Sequence, residues 1–202
     1  MQKIPSFELT TVQVGLANGF TITDGLAPLI DWAIIGPAMA ADGDAVRMAV
    51  DVSDNVGVTG VTANGTPLTY AGWSVWFGDI FADSALGLHP VEVVARDAAN
   101  NSATDTSQSY KTARVVGINN RDLANHVTSA MAQNYLYVAW GRVTWIDADT
   151  FDLDDGSGAP IRVIASGHGR ETNDYACARG IWQTGGTSHY LSCTASHVTK
   201  LN

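Results

Sequence analysis

The stretch 45–70, AVRMAVDVSDNVGVTGVTANGTPLTY, constrains the fold more than any other. Val46, Met48, Val50 and Val52 fall on one face of a period-two strand while Arg47 and Asp51 fall on the other, the signature of a half-buried strand. SDNVG then turns the chain, and VTGVTANG makes a second strand that ends at the Asn64-Gly65 hairpin signal. HPVEVVARDAANNSATDTSQSY supplies two more strands around an Asp/Asn-rich turn. Short strands with turn signals every ten or so residues predict a β-sandwich.

The chain has 202 residues, enough for one large or two small domains, and two fits better. Its 46% hydrophobic and 15% charged residues, with 20 glycines, are the composition of packed β-structure rather than of disorder. No run approaches the roughly eighteen apolar residues of a membrane span. The opening MQKIPSFELTTVQV has a single lysine and no apolar core, so no secretory signal is visible in it. Net charge is −9 and uneven: residues 1–112 carry 4 basic and 12 acidic side chains, and residues 113–202 carry 7 and 8. An acidic surface repels phosphate backbones, which argues against a nucleic-acid partner.

Cys177 and Cys193 are the two cysteines, and their midpoint is Gly185, within QTGGTS, which reads as a hairpin turn. Residues equidistant from such a turn face each other across an antiparallel pair, so a Cys177–Cys193 disulfide is expected, and with it an oxidising, extracytoplasmic location. Two buried free thiols are the alternative, because spacing alone does not fix a pairing.

DGLAPLI, VDVSDNVGVTGVTANGTPL and VEVVARDAANNSATDT, in that order, resemble the bacterial immunoglobulin-like repeats of surface and secreted proteins over about residues 25–112. WSVWFGDIFADSALGL is more aromatic than that pattern, which points to middle strands adapted for contact. In such a sandwich the turn after the second strand and the turn before the last lie at one end, which brings Asp51, Asp54, Asp97 and Asn100 near one another. Clustered oxygen ligands of this kind suit calcium, the one cofactor the sequence suggests. The alternative is that these side chains bond their own turn backbones.

Residues 113–202 read as a second β-module. YLYVAWGRVTWIDADT alternates, with Tyr137, Ala139, Gly141 and Val143 on one face and Val138, Trp140, Arg142 and Thr144 on the other. FDLDD places Phe151 and Leu153 inward, PIRVIAS places Ile161 and Val163 inward, and YACARGIW with HYLSCTASHV forms the hairpin. Five strands, with a glycine in the long first one where a barrel must bend, predict a small OB-fold barrel. VAWGRVT, FDLDDGSG and IRV also resemble bacterial OB-fold modules. DDGSGAP is then the loop between the second and third strands. It lacks the ligand order of an EF-hand loop, and it lacks the lysine and following helix of a phosphate loop. Outward Asp152, Asp154, Arg162 and Ile164 offer little stacking and two repulsive charges, against nucleic-acid binding. Trp140, Trp145, Trp182 and Tyr190 could offer ring faces to a polysaccharide, or serve as core or inter-domain packing.

The histidines at 89, 126, 168, 189 and 197 join no HExxH, CxxC or GxSxG motif. His168, Arg170 and Glu171 read as a solvated loop, and no enzyme is expected. Residues 1–24 are too few for a domain, yet SFELTTVQVGL is strand-like, with Phe7 and Leu9 on one face and Val12 and Val14 on the other. Such a strand can pair with the sheet edge of a neighbouring molecule and link subunits head to tail into a polymer. The sequence therefore suggests an all-β, non-catalytic extracellular structural protein: a strand-forming extension (1–24), an Ig-like sandwich (25–112) and an OB-like barrel (113–202). It would be a self-assembling homo-oligomer or polymer, the subunit of a surface filament, tube or layer. The alternative is an adhesive or carbohydrate-binding module of a larger secreted protein.

Overall fold

The computed structural model describes residues 24–184 and 188–201, so the strand-forming segment with Phe7, Leu9, Val12 and Val14 lies outside the described residues. The chain is all-β and divides into two compact units between Thr112 and Ala113.

In the first unit the strands are β1 (Leu29–Gly36), β2 (Met39–Ala40), β3 (Ala45–Ser53), β4 (Val58–Ala63), β5 (Thr66–Pro67), β6 (Thr69–Gly72), β7 (Val75–Phe81), β8 (Gly87–Asp97) and β9 (Ser102–Thr112). They form two sheets, ordered β1-β3-β7-β6 and β2-β9-β8-β4-β5. The alternation in β3 does what its period requires: Val46, Met48, Val50 and Val52 are buried, and Val61, Ala63, Val91, Val93 and Ala95 of the second sheet share their core. Asn64 and Gly65 form the two-residue loop joining β4 to β5, both at positive φ (46° and 76°), the backbone a type I′ hairpin needs.

The second unit opens with β10 (Arg114–Gly117), then helices α1 (Asn120–His126) and α2 (Ser129–Ala132). The Asn119 side chain caps α1 by accepting from the Asp122 N–H. There follow β11 (Tyr135–Trp145), β12 (Thr150–Asp154), β13 (Ile161–Ile164), β14 (Tyr175–Gln183), β15 (Tyr190–Ser192) and β16 (Val198–Lys200). The sheet runs β11-β12-β13-β15-β14, and β14 pairs back onto β11, which closes a five-stranded barrel. Its core holds Tyr137, Ala139, Val143, Phe151, Leu153, Ile161, Val163 and Trp182. β11 pairs with β14 through Arg142 and with β12 from Arg142 onward, so the strand changes partner beside Gly141. Gly141 sits at φ +154°, where a Cβ would lie 2.4 Å from the Asp154 carbonyl. DDGSGAP joins β12 to β13 as a turn. No helix among the described residues is long and apolar enough to cross a membrane.

Three expectations are corrected. HYLSCTASHV is not one strand: a 3-10 turn (Ala195–His197) splits it into β15, parallel to β13, and β16, antiparallel to β14. The expected Cys177–Cys193 disulfide is not formed, and both cysteines are free. Ile181 lies opposite Ser192, a register that sets Cys193 beside Gly180 rather than Cys177. The displacement of three residues puts the thiols on opposite sides of the barrel wall, because an odd shift exchanges faces. Cys193 packs against the core, and burial pushes its thiol up to about 12; Cys177 faces out between Trp140 and Thr199, its thiol also raised by burial. Thirdly, His168 is buried, not solvated: its ring packs 4.6 Å from that of Phe151.

Candidate metal centre

Three carboxylates from distant parts of the chain converge in the first unit. Asp24 precedes β1, Asp54 follows β3, and Asp97 ends β8; one oxygen from each lies within 4.8 Å of the others. Each carboxylate is oriented by local hydrogen bonds. Asp24 Oδ1 accepts from Leu26 N at 3.1 Å. Asp54 Oδ2 accepts from Val56 N and Gly57 N, both at 2.8 Å, so the SDNVG turn is an Asx turn that fixes its own first residue. Asp97 Oδ1 accepts from Asn101 N at 2.8 Å, and its Oδ2 from Asn101 Nδ2 at 2.7 Å. The same Nδ2 donates to the Asp24 backbone carbonyl at 3.2 Å, so Asn101 ties the start of the unit to the β8–β9 turn.

These bonds leave two oxygens over. Asp24 Oδ2 and Asp54 Oδ1 are buried and have no hydrogen-bond partner. Among the described residues no basic side chain pairs with any of the three carboxylates. Ionised carboxylates within 4.8 Å of one another repel. Burial pushes the Asp97 carboxyl up, but the Asn101 side-chain and backbone donors, the Ala99 N–H and a side-chain hydrogen bond with Asp24 outweigh it and hold Asp97 below the usual carboxylate range. Asp97 therefore stays charged, and the arrangement asks for a counter-charge. An all-oxygen donor set with buried, unshared lone pairs fits a hard cation of flexible coordination, calcium before magnesium; zinc would look for nitrogen or sulfur.

Of the four oxygen ligands expected from sequence, Asp54 and Asp97 belong to this cluster. Asp51 does not: it lies on the outer face of β3, opposite Trp32 and Val75, and accepts from the Ser74 hydroxyl. Asn100 does not either, being the exposed left-handed residue (φ 68°) of the turn, while its neighbour Asn101 does the orienting. Asp24 went unassigned in the sequence although it is the Asp of DGLAP; what marked it was its place in the motif.

The aromatic residues separate cleanly. Trp140 and Trp145 are 41% and 49% exposed, Trp182 is buried in the barrel core, and Tyr190 is half-buried in β15. His168 uses both ring nitrogens structurally: Nδ1 accepts from Arg170 N at 2.9 Å and Nε2 lies 3.1 Å from Asp147 O. Arg170 Nε donates to His168 O, and Glu171 N to Asp174, so these side chains staple a loop rather than converge on one point. The outer face of β12 and β13 carries an Asp152–Arg162 ion pair at 2.6 Å. No protein-family model, curated protein or solved structure matches the chain.

Proposed function

We propose that the chain is a non-catalytic extracellular structural protein whose first unit is an Ig-like sandwich stabilised by calcium and whose second is an OB-type barrel. The observation that carries this reading is the carboxylate trio with two buried, unpartnered oxygens. The strand orders support the fold names. β1-β3-β7-β6 against β9-β8-β4 is the order of an Ig sandwich, and a barrel whose third and fifth strands are parallel suits an OB-fold. A site with three protein carboxylates matches the weak calcium sites of extracellular modules, with dissociation constants of about 10⁻⁴–10⁻³ M, which fill where calcium is millimolar. That argument for location is independent of the disulfide.

The test is thermal unfolding with calcium, with magnesium and with a chelator. At a hundredfold excess over the dissociation constant, calcium stabilises by about 2.7 kcal/mol. For a unit of this size that is a rise of roughly 10–20 °C in Tm. Asp97→Asn removes the rise and Asp51→Asn keeps it; a Tm that calcium leaves unchanged overturns the reading.

A second observation favours self-assembly. The outer face of the first sheet carries a short apolar row: Ile34, Ala49 and Phe77 stand side by side with Trp32 next to them, Ile34 and Phe77 are 59% and 43% exposed, and the Arg47–Asp79 ion pair separates this row from Phe81. Exposed apolar side chains grouped beside a charged pair suit an interaction surface. Sedimentation velocity should show concentration-dependent association that Phe77→Lys with Phe81→Lys weakens, and a wild type that stays monomeric at every concentration would refute it.

A further inference from the structure

The barrel carries a second candidate site, independent of the calcium reading because it lies wholly in the other unit. A groove of about 310 Å³ runs along its outside, lined by Trp140, Gly141 and Arg142 of β11, Asp154 and Asp155 at the end of β12, and Tyr175 at the start of β14. It is built at the corner where β11 changes partner. Because Gly141 has no Cβ, β11 passes against the Asp154 main chain and the Asp154 carboxylate arrives beside the Trp140–Arg142 face.

Trp140 and Arg142 are two apart on one strand and share its outer face, while Tyr175 is the cross-strand partner of Arg142. The two aromatic rings therefore stand one diagonal step apart, about 7–8 Å between their backbones. Trp140 is 41% and Tyr175 44% exposed. Between them the Arg142 guanidinium lies 5.6 Å over the Tyr175 ring. Other arginines in the chain serve the fold: Arg47 holds Asp79, Arg162 holds Asp152, and Arg170 holds a main-chain carbonyl. Among the described residues Arg142 has no hydrogen bond and no carboxylate partner, so its planar set of five donors faces the groove. Across from it Asp154 uses Oδ1 to accept from Gly156 N at 2.8 Å and keeps its other oxygen for an incoming donor.

The wall is rigid. Asp155 Oδ2 accepts from Asn120 N at 2.9 Å and its Oδ1 from Ser157 N at 2.9 Å, while Asn120 Nδ2 donates to Leu153 O at 2.9 Å. The turn, the end of β12 and the start of α1 are thus one bonded assembly, and little ordering remains to be done when a ligand arrives.

We propose that this groove binds a neutral polysaccharide. A hexose ring has an apolar C–H face and a rim of hydroxyls that both donate and accept. Trp140 offers a flat apolar surface to a ring face, the Tyr175 ring with the Arg142 guanidinium over it forms the adjoining wall, Arg142 donates to vicinal hydroxyls, and Asp154 accepts from them. Stacking platforms with an arginine would also suit a single-stranded nucleic acid. The carboxylates of Asp154 and Asp155 in the same groove oppose a phosphate or uronate chain. The site is not the outer face of β12 and β13, which its Asp152–Arg162 pair occupies, but the β11–β14 face beside it.

The test is affinity electrophoresis of the full chain through gels containing neutral polysaccharides (a soluble β-1,4-glucan, a β-1,3-glucan and a mannan), with alginate and oligo-dT as anionic probes. At least one neutral polymer should retard the wild type, in a way that added salt leaves unchanged. Trp140→Ala and Tyr175→Ala should each weaken that retardation at least tenfold, and Arg142→Met should weaken it as well. Trp145→Ala, which removes an equally exposed tryptophan outside the groove, should match the wild type. Far-ultraviolet circular dichroism of each variant separates lost binding from lost fold. Failure of every neutral polymer to retard the protein overturns the proposal. So does retardation by an anionic probe alone, or a loss in Trp145→Ala equal to that in Trp140→Ala.

Discussion

Replacing Gly141 by alanine tests whether the barrel corner is built as described. The new Cβ would lie 2.4 Å from the carbonyl carbon and oxygen of Asp154 and 2.8 Å from Asp155 N, all main-chain atoms that no rotamer change can move. To regain ordinary contact the end of β12 must retreat by roughly 1 Å, away from the Arg142–Asp154 pairing that starts the β11–β12 ladder. Overpacking of this kind costs about 1–3 kcal/mol. An L-residue at φ +154° adds about 1–3 kcal/mol of backbone strain. A total of about 2–6 kcal/mol is a large part of the roughly 5–15 kcal/mol that holds a domain. Gly156→Ala is the internal control: its φ is +81° but its Cβ would meet nothing within 4 Å, so only strain of about 1–2 kcal/mol remains. Hydrogen exchange against urea, read by mass spectrometry on peptides of β12 and β14, reports the barrel without interference from the first unit. Equal costs for Gly141→Ala and Gly156→Ala would refute the close approach of β11 to β12, and with it the groove geometry that depends on it.

Two further outcomes follow from the chemistry of particular groups. With Cys193 raised to about 12 and Cys177 raised by burial, native protein should react slowly with a thiol reagent at pH 8; Cys193 should label only on unfolding, and reductant should leave Tm unchanged. A native mass two hydrogens short of the fully reduced chain would refute this. Because Asp97 is held below its unfolded value, its contribution to stability is present above about pH 4 and is lost as pH falls through the depressed folded value. In chelator, Asp97→Asn should flatten that part of the stability profile of the first unit, as urea midpoints measured at successive pH values would show; an unaltered acid limb would contradict the Asn101 bonds as its cause.

Much of this was legible because strands write their faces into the sequence. Val46 to Val52, Phe151 and Leu153, and Ile161 and Val163 alternate with polar partners and are buried as their period demands. The same parity already separated Asp51 from the inward valines, and a strict use of it would have withheld Asp51 from the metal cluster. It would also have placed Trp182 inward with Ala176 and Ala178, as it does set Trp140 and Arg142 on the face away from Ala139 and Val143. α1 is absent from the sequence reading, although Asn119 and Asp122, a cap and an acidic first-turn residue in the NNRD run, are its signal. What no period contains is long-range register. A hairpin centre displaced by a residue or two changes which face a cysteine takes, and nothing near Cys193 fixes that centre. Asp24 reaches Asp97 across 73 positions because two sheets close over a common core, and a burying partner such as Phe151 turns the polar run SGHGRE into packing for His168.

The position of Asp24 joins the calcium site to the question of assembly. Residues 1–23 connect to the first unit through Asp24, which among the described residues is held by three donors: Leu26 N at 3.1 Å and Asn55 Nδ2 at 3.5 Å donate to its Oδ1, and Asn101 Nδ2 donates to its carbonyl at 3.2 Å. A divalent ion shared by Asp24, Asp54 and Asp97 would add a cross-link from this point to the β3–β4 and β8–β9 turns, so load arriving from the preceding residues would pass into both sheets at once rather than peel β1 from the edge of one. Among the described residues β1 is the edge strand of its sheet and pairs with β3 alone, the arrangement most open to peeling. A calcium ion bound as proposed would therefore also decide how firmly any neighbour engaged by residues 1–23 is anchored, and the two effects can be told apart. Asp97→Asn would weaken anchorage under load while leaving the exposed Ile34 and Phe77 face, and association through it, intact.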